Sequence, residues 1–154
     1  MTAIAEQTRI QTGHVGLNVT DLARAKAFYE SVFGFQTIKE STQAGREYAF
    51  LAEGDTLVLT LWRQSEGRFA KSAPGLHHLS FMVPDVEAVR VIESKARAAG
   101  APFAYDGVVP HAEGAQSGGV FFEDPDGVRL EVFTTSGVEG QSAPTEGAPT
   151  CGFF

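Results

Sequence analysis

The sequence predicts an α+β fold of two tandem βαβββ modules, and three observations carry that prediction. The chain repeats itself: His14-Val-Gly-Leu-Asn-Val-Thr-Asp21 reads onto His78-Leu-Ser-Phe-Met-Val-Pro-Asp85, with the histidine, the apolar positions and the aspartate coinciding. Further on, residues 48–55 and 56–62 read onto 119–126 and 127–133, after a longer middle loop in the second copy. Each copy also runs through the same hydrophobic periods, first the alternation of a strand, then the spacing of a helix, then strands again. Finally, glycines punctuate both copies at matching places: Gly34 and Gly100 after the helical stretch, Gly54 and Gly127 at a later turn.

The elements follow in order. In the first module, residues 12–63, alternation over 14–19 predicts a half-buried strand. Asp21 is placed to cap a helix over 22–33, whose Leu22, Ala25, Tyr29 and Val32 share a face, and Gly34 ends it. Strands are expected at 36–41, 47–52 and 56–62. A polar connection, 63–75, leads to the second module, residues 76–134. There a strand at 77–83 precedes a helix capped by Asp85 and ended by Gly100, with Val86, Val89 and Ala96 on one face. Strands at 101–105, 118–123 and 128–133 complete it. Residues 135–154 read as a flexible C-terminal tail, since 136–149 are largely Gly, Ser, Pro, Thr and Glu. Its end, Cys151-Gly-Phe-Phe154, is apolar enough to dock on a surface.

Composition narrows the function classes. A chain of 154 residues that is 43% hydrophobic fills a core without covalent staples. The formal charge of -7, with no Lys/Arg cluster, argues against nucleic acid or an anionic membrane as partner and leaves small molecules. The single cysteine, Cys151, excludes a disulfide framework and leads us to expect no thiolate metal site. With no apolar run of membrane-spanning length and no signal-peptide layout at the start, the expectation is a soluble cytoplasmic protein.

Strand parity sorts the side chains. Val15, Leu17 and Val19 share the helix-facing side of the first strand, as do Leu79, Phe81 and Val83 in its repeat, and the opposite side carries His14 and His78. On the last strands the core rows are Leu57, Leu59, Leu61 and Val128, Leu130, Val132; opposite them lie Thr60 in one copy and Glu131 in the other. Two imidazoles and a carboxylate form a ligand set for one divalent transition metal with open positions, so His14, His78 and Glu131 are the candidate metal ligands. The plainer readings are histidines kept by inheritance in hydrogen-bonded structural roles and a Glu131 on a solvated face or paired with Arg129. His77, by the same parity, points away from His78. Thr60, Trp62, Met82, Phe121, Arg129 and Phe133 are candidates to line a substrate cup, and Phe50 reads as core. For proton transfer His111 is the first candidate and Tyr48 the second; the alternative for His111 is a solvated loop residue.

These residues resemble the vicinal oxygen chelate superfamily, which includes glyoxalase I, extradiol dioxygenases, fosfomycin-resistance proteins and bleomycin-binding proteins. The resemblance spans about residues 12–134. It is carried by His14 with Asp21, by Phe28-Tyr29 and Phe33-Gly34-Phe35, by His78 with Val83-Pro-Asp85, and by Asp124-Pro-Asp-Gly127 with Glu131. It implies that the curled mixed sheets of the two modules form a cup around a metal, on which a substrate binds through two adjacent oxygens. Where glyoxalase I and methylmalonyl-CoA epimerase usually place a fourth ligand, this chain has Thr60. The run from Val109-Pro-His111 to Glu131 is similar to the extradiol signature, although the stretch after His111 is one residue longer and Phe121 stands where that family has a tyrosine. Gly16 replaces the threonine of the fosfomycin enzymes. The resemblance thus implies a metal-dependent enzyme, an oxidoreductase of the Fe(II) extradiol dioxygenase type if the ion is Fe(II). With Mn(II), Zn(II) or Ni(II) it implies isomerase or lyase chemistry instead. The competing reading is an antibiotic-binding or resistance protein. Unpaired sheet edges favour a homodimer.

Overall fold

The computed structural model describes residues 8–154. Its first module comprises β1 (Val15–Asn18), α1 (Leu22–Phe33), β2 (Gln36–Ser41), β3 (Tyr48–Glu53) and β4 (Thr56–Trp62). The second comprises β5 (Leu79–Met82), α2 (Val86–Ala98), β6 (Val109–Pro110), β7 (Gly118–Glu123) and β8 (Arg129–Thr134), and a short 3-10 turn (Thr150–Gly152) follows near the C-terminus. Two separate mixed sheets result, ordered β1-β4-β3-β2 and β5-β8-β7-β6, with the first strand of each module parallel to the last. The α+β fold of two βαβββ modules is therefore observed. No helix among the described residues is long and apolar enough to cross a membrane.

Both helices start as their sequences dictate. The Asp21 side chain accepts a hydrogen bond from Arg24 N, and Asp85 accepts one from Ala88 N, each satisfying an otherwise orphaned donor in the first turn. Gly34 ends α1 in the left-handed conformation, where its N–H donates to the Glu30 carbonyl.

Register shows the repeat at the level of single residues. Gly16 lies opposite Thr60 and Ser80 opposite Glu131 across the parallel pairs; Phe50 lies opposite Thr60 and Phe121 opposite Glu131 across the antiparallel ones. Thr60 and Glu131 are thus equivalent positions. One expected strand is displaced: residues 101–105 make only an isolated bridge, Phe103 to Phe122, and the edge strand is β6 instead. Pro102 offers no N–H to a ladder, and its carbonyl simply accepts from Glu123 N.

One core joins the modules. Leu17, Val19, Tyr29, Val32, Leu51, Leu59 and Leu61 pack in the same cluster as Val89, Val120, Phe122, Leu130 and Val132. The helix-facing sides of both sheets are therefore occupied, each buried Val, Leu or Phe contributing about 1.5–3 kcal/mol relative to exposure. Phe33 and Phe81 meet across the modules with ring centroids 4.8 Å apart. The Asp124-Pro-Asp-Gly127 turn strengthens that joint. Asp124 Oδ1 accepts from Asp126 N and Val128 N, closing the β7–β8 connection, while Tyr29 OH donates to Asp124 Oδ2 at 2.8 Å from inside the core. Asp126 meets Arg24 at 3.1 Å and takes the Thr20 hydroxyl hydrogen bond. Burial outweighs the hydrogen bonds that favour the Asp124 carboxylate and raises its pKa. Burial first, and then the neighbouring Asp124 charge, hold the Tyr29 phenol well above its ordinary value.

The C-terminal residues return to the second module. Val138 is buried, its N–H donating to Gln116 O, and Thr150 is completely buried. The Thr150 N–H donates to the His111 carbonyl at 2.9 Å, its hydroxyl donates to the Pro110 carbonyl at 2.6 Å, and its own carbonyl accepts from Tyr105 OH at 3.0 Å.

Candidate metal centre

The open face of the second sheet carries the chemistry. Glu131 is only 4% exposed, because β8 is an inner strand flanked by β5 and β7. Its Oε1 accepts from Ser80 Oγ at 3.0 Å and lies 3.2 Å from His111 Nε2. Its Oε2 has no hydrogen-bond partner and lies 3.6 Å from His78 Nε2. An enclosed carboxylate oxygen without a donor is costly. One oxygen held by two neighbours and the other left bare toward an imidazole fits a cation at Oε2, with Ser80 and His111 fixing the carboxylate's orientation.

His78 sits immediately before β5, half-buried. Burial lowers its pKa; the Glu131 charge opposes the shift, while His77 and Arg129 add to it. The neutral, ligating form is thereby favoured. His77 does not point away as parity predicted: its Nδ1 is 2.8 Å from His78 Nδ1. Both histidines precede the first residue of the strand, so alternation does not govern them. His111 Nδ1 lies 2.8 Å from Ser117 Oγ, an arrangement that suits a proton on Nε2 shared with Glu131. Phe121 and Phe133 flank His111, with centroids 6.3 and 5.3 Å from its ring.

Among the described residues, a single cluster of three potential ligands has its donor atoms within 4.8 Å of one another: His78, Glu131 and Cys151. The cysteine, expected in a tail apart from the modules, thus lies beside two of the candidate ligands. Cys151 arrives from the C-terminal 3-10 turn, a segment without periodicity to announce it. Burial, then the Glu131 charge, pushes its thiol upward. Phe153 follows, with its ring centroid 5.8 Å from His78 and 5.4 Å from Phe121, and the Arg129 guanidinium lies 5.4 Å over it. The apolar Gly-Phe-Phe ending was the only sequence signal for this placement.

The remaining candidates, Met82 apart, belong to the first module. His14, exposed and just ahead of β1, is outside the His78–Glu131 cluster. Trp62 Nε1 donates to Thr60 Oγ1 at 2.9 Å, and Tyr48, Phe50 and Trp62 form an aromatic group with centroids 5.4–5.9 Å apart. Phe50, expected in the core, is half-buried on the first sheet's open face instead, because Ala49 and Leu51 take the inward positions of β3. Met82, at the end of β5, is 67% exposed. The structure therefore assembles His78, Glu131, His111, Phe121, Arg129 and Phe133 around one point and places His14, Tyr48, Thr60 and Trp62 on the other sheet.

Comparison with known proteins agrees with this architecture. A 27% identical relative over 135 residues is the catechol-2,3-dioxygenase of Bacillus subtilis (strain 168), with 86% of this chain aligned to 44% of that protein; the chain spans less than half its length. Among solved structures, a glyoxylase/bleomycin resistance protein/dioxygenase domain from Frankia sp. EAN1pec superposes with a TM-score of 0.69 at 24% identity, covering 83% of this chain and 93% of that one. A mutant of the fosfomycin resistance protein FosX from Listeria monocytogenes, complexed with Mn(II) and a dihydroxypropylphosphonic acid, gives 0.64 at 18% identity, covering 84% and 95%. With the profile of one family matching residues 11–132, across both modules and the Asp124–Glu131 turn and strand, the chain belongs to the Glyoxalase/Bleomycin resistance protein/Dioxygenase superfamily.

Proposed function

We propose that this protein is a metal-dependent enzyme of the extradiol dioxygenase type, acting on a small molecule that chelates the ion through vicinal oxygens. The observation that carries the reading is Glu131 Oε2, buried, without a hydrogen-bond partner and 3.6 Å from His78 Nε2. His78 and Glu131 would hold the ion, with His14 supplied by a second copy of the chain. Within one chain the first sheet's open face does not bring His14 to the cluster, so a homodimer supplies the third ligand, together with Tyr48, Thr60 and Trp62 as a wall of the cup. Fe(II) is favoured, because two imidazoles and one carboxylate leave positions for both a diol and O₂; the ion, when bound, supplies Lewis acidity and a meeting point for these reactants.

The chain's own groups do the remaining work. Ser80 and His111 keep the Glu131 carboxylate in one orientation. His111, polarised by Ser117, holds a proton at Nε2 beside the site and is the acid–base group; Tyr48 is the second candidate. Phe121 and Phe133 exclude water and face a planar substrate. Met82 and Arg129 lie at the margin as substrate contacts.

Metal analysis of freshly purified protein tests the reading: about one transition ion per chain, lost in His78→Ala and Glu131→Ala. Oxygen uptake by the Fe(II) form with a panel of catechols then separates the oxygenase from an isomerase or lyase using Mn(II), Zn(II) or Ni(II). Protein that neither carries nor takes up metal would favour the second reading, a binder of small aromatic antibiotics, to which the Tyr48–Phe50–Trp62 group is suited.

A further inference from the structure

We infer that Cys151 Sγ is a metal ligand, delivered by the C-terminal segment, that completes a nitrogen, oxygen and sulfur donor set with His78 and Glu131 inside one chain. The inference rests on the metal-site reading above and adds a ligand to it.

Two independent observations meet here. The first is geometric: donor atoms of His78, Glu131 and Cys151 all lie within 4.8 Å of one another, a spacing one ion can bridge with small side-chain movements. The second is the bare oxygen. Glu131 Oε2 is enclosed and unpartnered, and neither the imidazole beside it nor the thiol donates to it. A cation among the three groups satisfies that oxygen and both other donors at once.

The cysteine is not at this point by accident of a loose end. Thr150, the residue before it, is fully buried and fixed by three hydrogen bonds to His111, Pro110 and Tyr105, all on the edge of the second module. On the other side, Phe153 rests on Phe121 and His78 under the Arg129 guanidinium. Cys151 and Gly152 are thus held from both ends.

Mixed imidazole, carboxylate and thiolate sets suit Zn(II), Co(II) and Fe(II). Binding would form one metal–sulfur bond and break the S–H bond, with the proton leaving to solvent and no electron transferred. The thiolate then takes a coordination position that the proposed chemistry assigns to substrate or to His14 of a second copy. The tail-bound ion is accordingly a closed state, from which the tail must withdraw before turnover.

Cobalt titration of the full chain, after removal of any resident metal, tests this. The expected result is one Co(II) per chain with thiolate-to-cobalt charge-transfer absorption in the near ultraviolet, and with Cys151→Ser losing the band and binding Co(II) at least about tenfold more weakly. Stoichiometric Co(II) binding by wild type without that band overturns the inference and leaves the metal-site reading standing, as does a Cys151→Ser variant that binds as tightly as wild type. Failure of wild type to bind Co(II) overturns both. Because the wild-type spectrum is decisive alone, the test does not depend on how the variant folds.

Discussion

Replacing Glu131 by glutamine should raise the stability of the metal-free protein while abolishing metal binding. The side chain is 4% exposed; one oxygen is held by Ser80 and His111, and the other has no donor. An enclosed polar atom left unpaired costs about 1–3 kcal/mol, and more when charged. Glutamine keeps the shape, lets its carbonyl retain the Ser80 hydrogen bond, and turns its amide toward His78 Nε2, which accepts when its other nitrogen donates to His77. The same 1–3 kcal/mol should be recovered, which for a chain of this length raises Tm by roughly 2–12 °C. The assay is thermal unfolding at one fixed protein concentration, first with chelator and then with saturating metal. Wild type should gain about 2.7 kcal/mol at a metal concentration a hundredfold above its Kd, and Glu131→Gln nothing. The order of stabilities is thus expected to narrow or reverse when metal is added. If Glu131→Gln is the less stable of the two in chelator, the carboxylate is satisfied by the fold itself and the reasoning fails.

Four further outcomes are expected. Tyr29→Phe removes the buried donor to Asp124 and should cost about 1.5–3 kcal/mol in urea unfolding at unchanged m value, a loss that shrinks in acid as the carboxyl protonates. Because burial raises the native pKa of Asp124, its contribution to stability is full below its unfolded value of about 3.9 and is lost as pH rises through the native pKa; Asp124→Asn should therefore gain on wild type across that rise, measured by urea midpoints at a series of pH values. A side chain at Gly119 would overlap the Val132 carbonyl, so Gly119→Ala should lower stability by at least about 2 kcal/mol in the same assay. Co-refolding equal amounts of His14→Ala and His78→Ala should restore about a quarter of the wild-type oxygen uptake, since half the dimers are mixed and each has one intact site of two; no recovery would place His14 and His78 in the same chain's site.

The parts legible in the sequence are those that the repeat expresses twice. Asp21 and Asp85 as caps, the inward rows of β1, β5 and β8, and the equivalence of Thr60 with Glu131 appear in the structure as read, whereas on β4 a register shift beside Leu57 sets Val58, not Leu57, against the core with Leu59 and Leu61. Parity failed where its premise did: His77 and His78 stand before a strand, and residues 101–105 carry a proline that breaks a ladder. The tail's path was illegible for a different reason. It is fixed by single anchors such as Val138 and Thr150 within a run that has no period, and single anchors leave no pattern.

The deepest limit concerns which faces meet. A repeat specifies what each sheet shows on either side, but the same two patterns serve whether modules pair within a chain or between chains. In the folded chain, Phe28, Tyr29 and Phe33 of α1 pack toward Phe122, Asp124 and Phe81 of the second module, so the helix-facing sides of both sheets are spent on one core. The outward faces, one with the Tyr48–Phe50–Trp62 group and one with His78 and Glu131, are then left without each other. In the proposed homodimer a second chain would bring the two faces together, whereas in the single chain Cys151 and Phe153 lie beside His78 and Glu131. On that reading tail and partner would compete for one place, and the tail holds it in the resting protein.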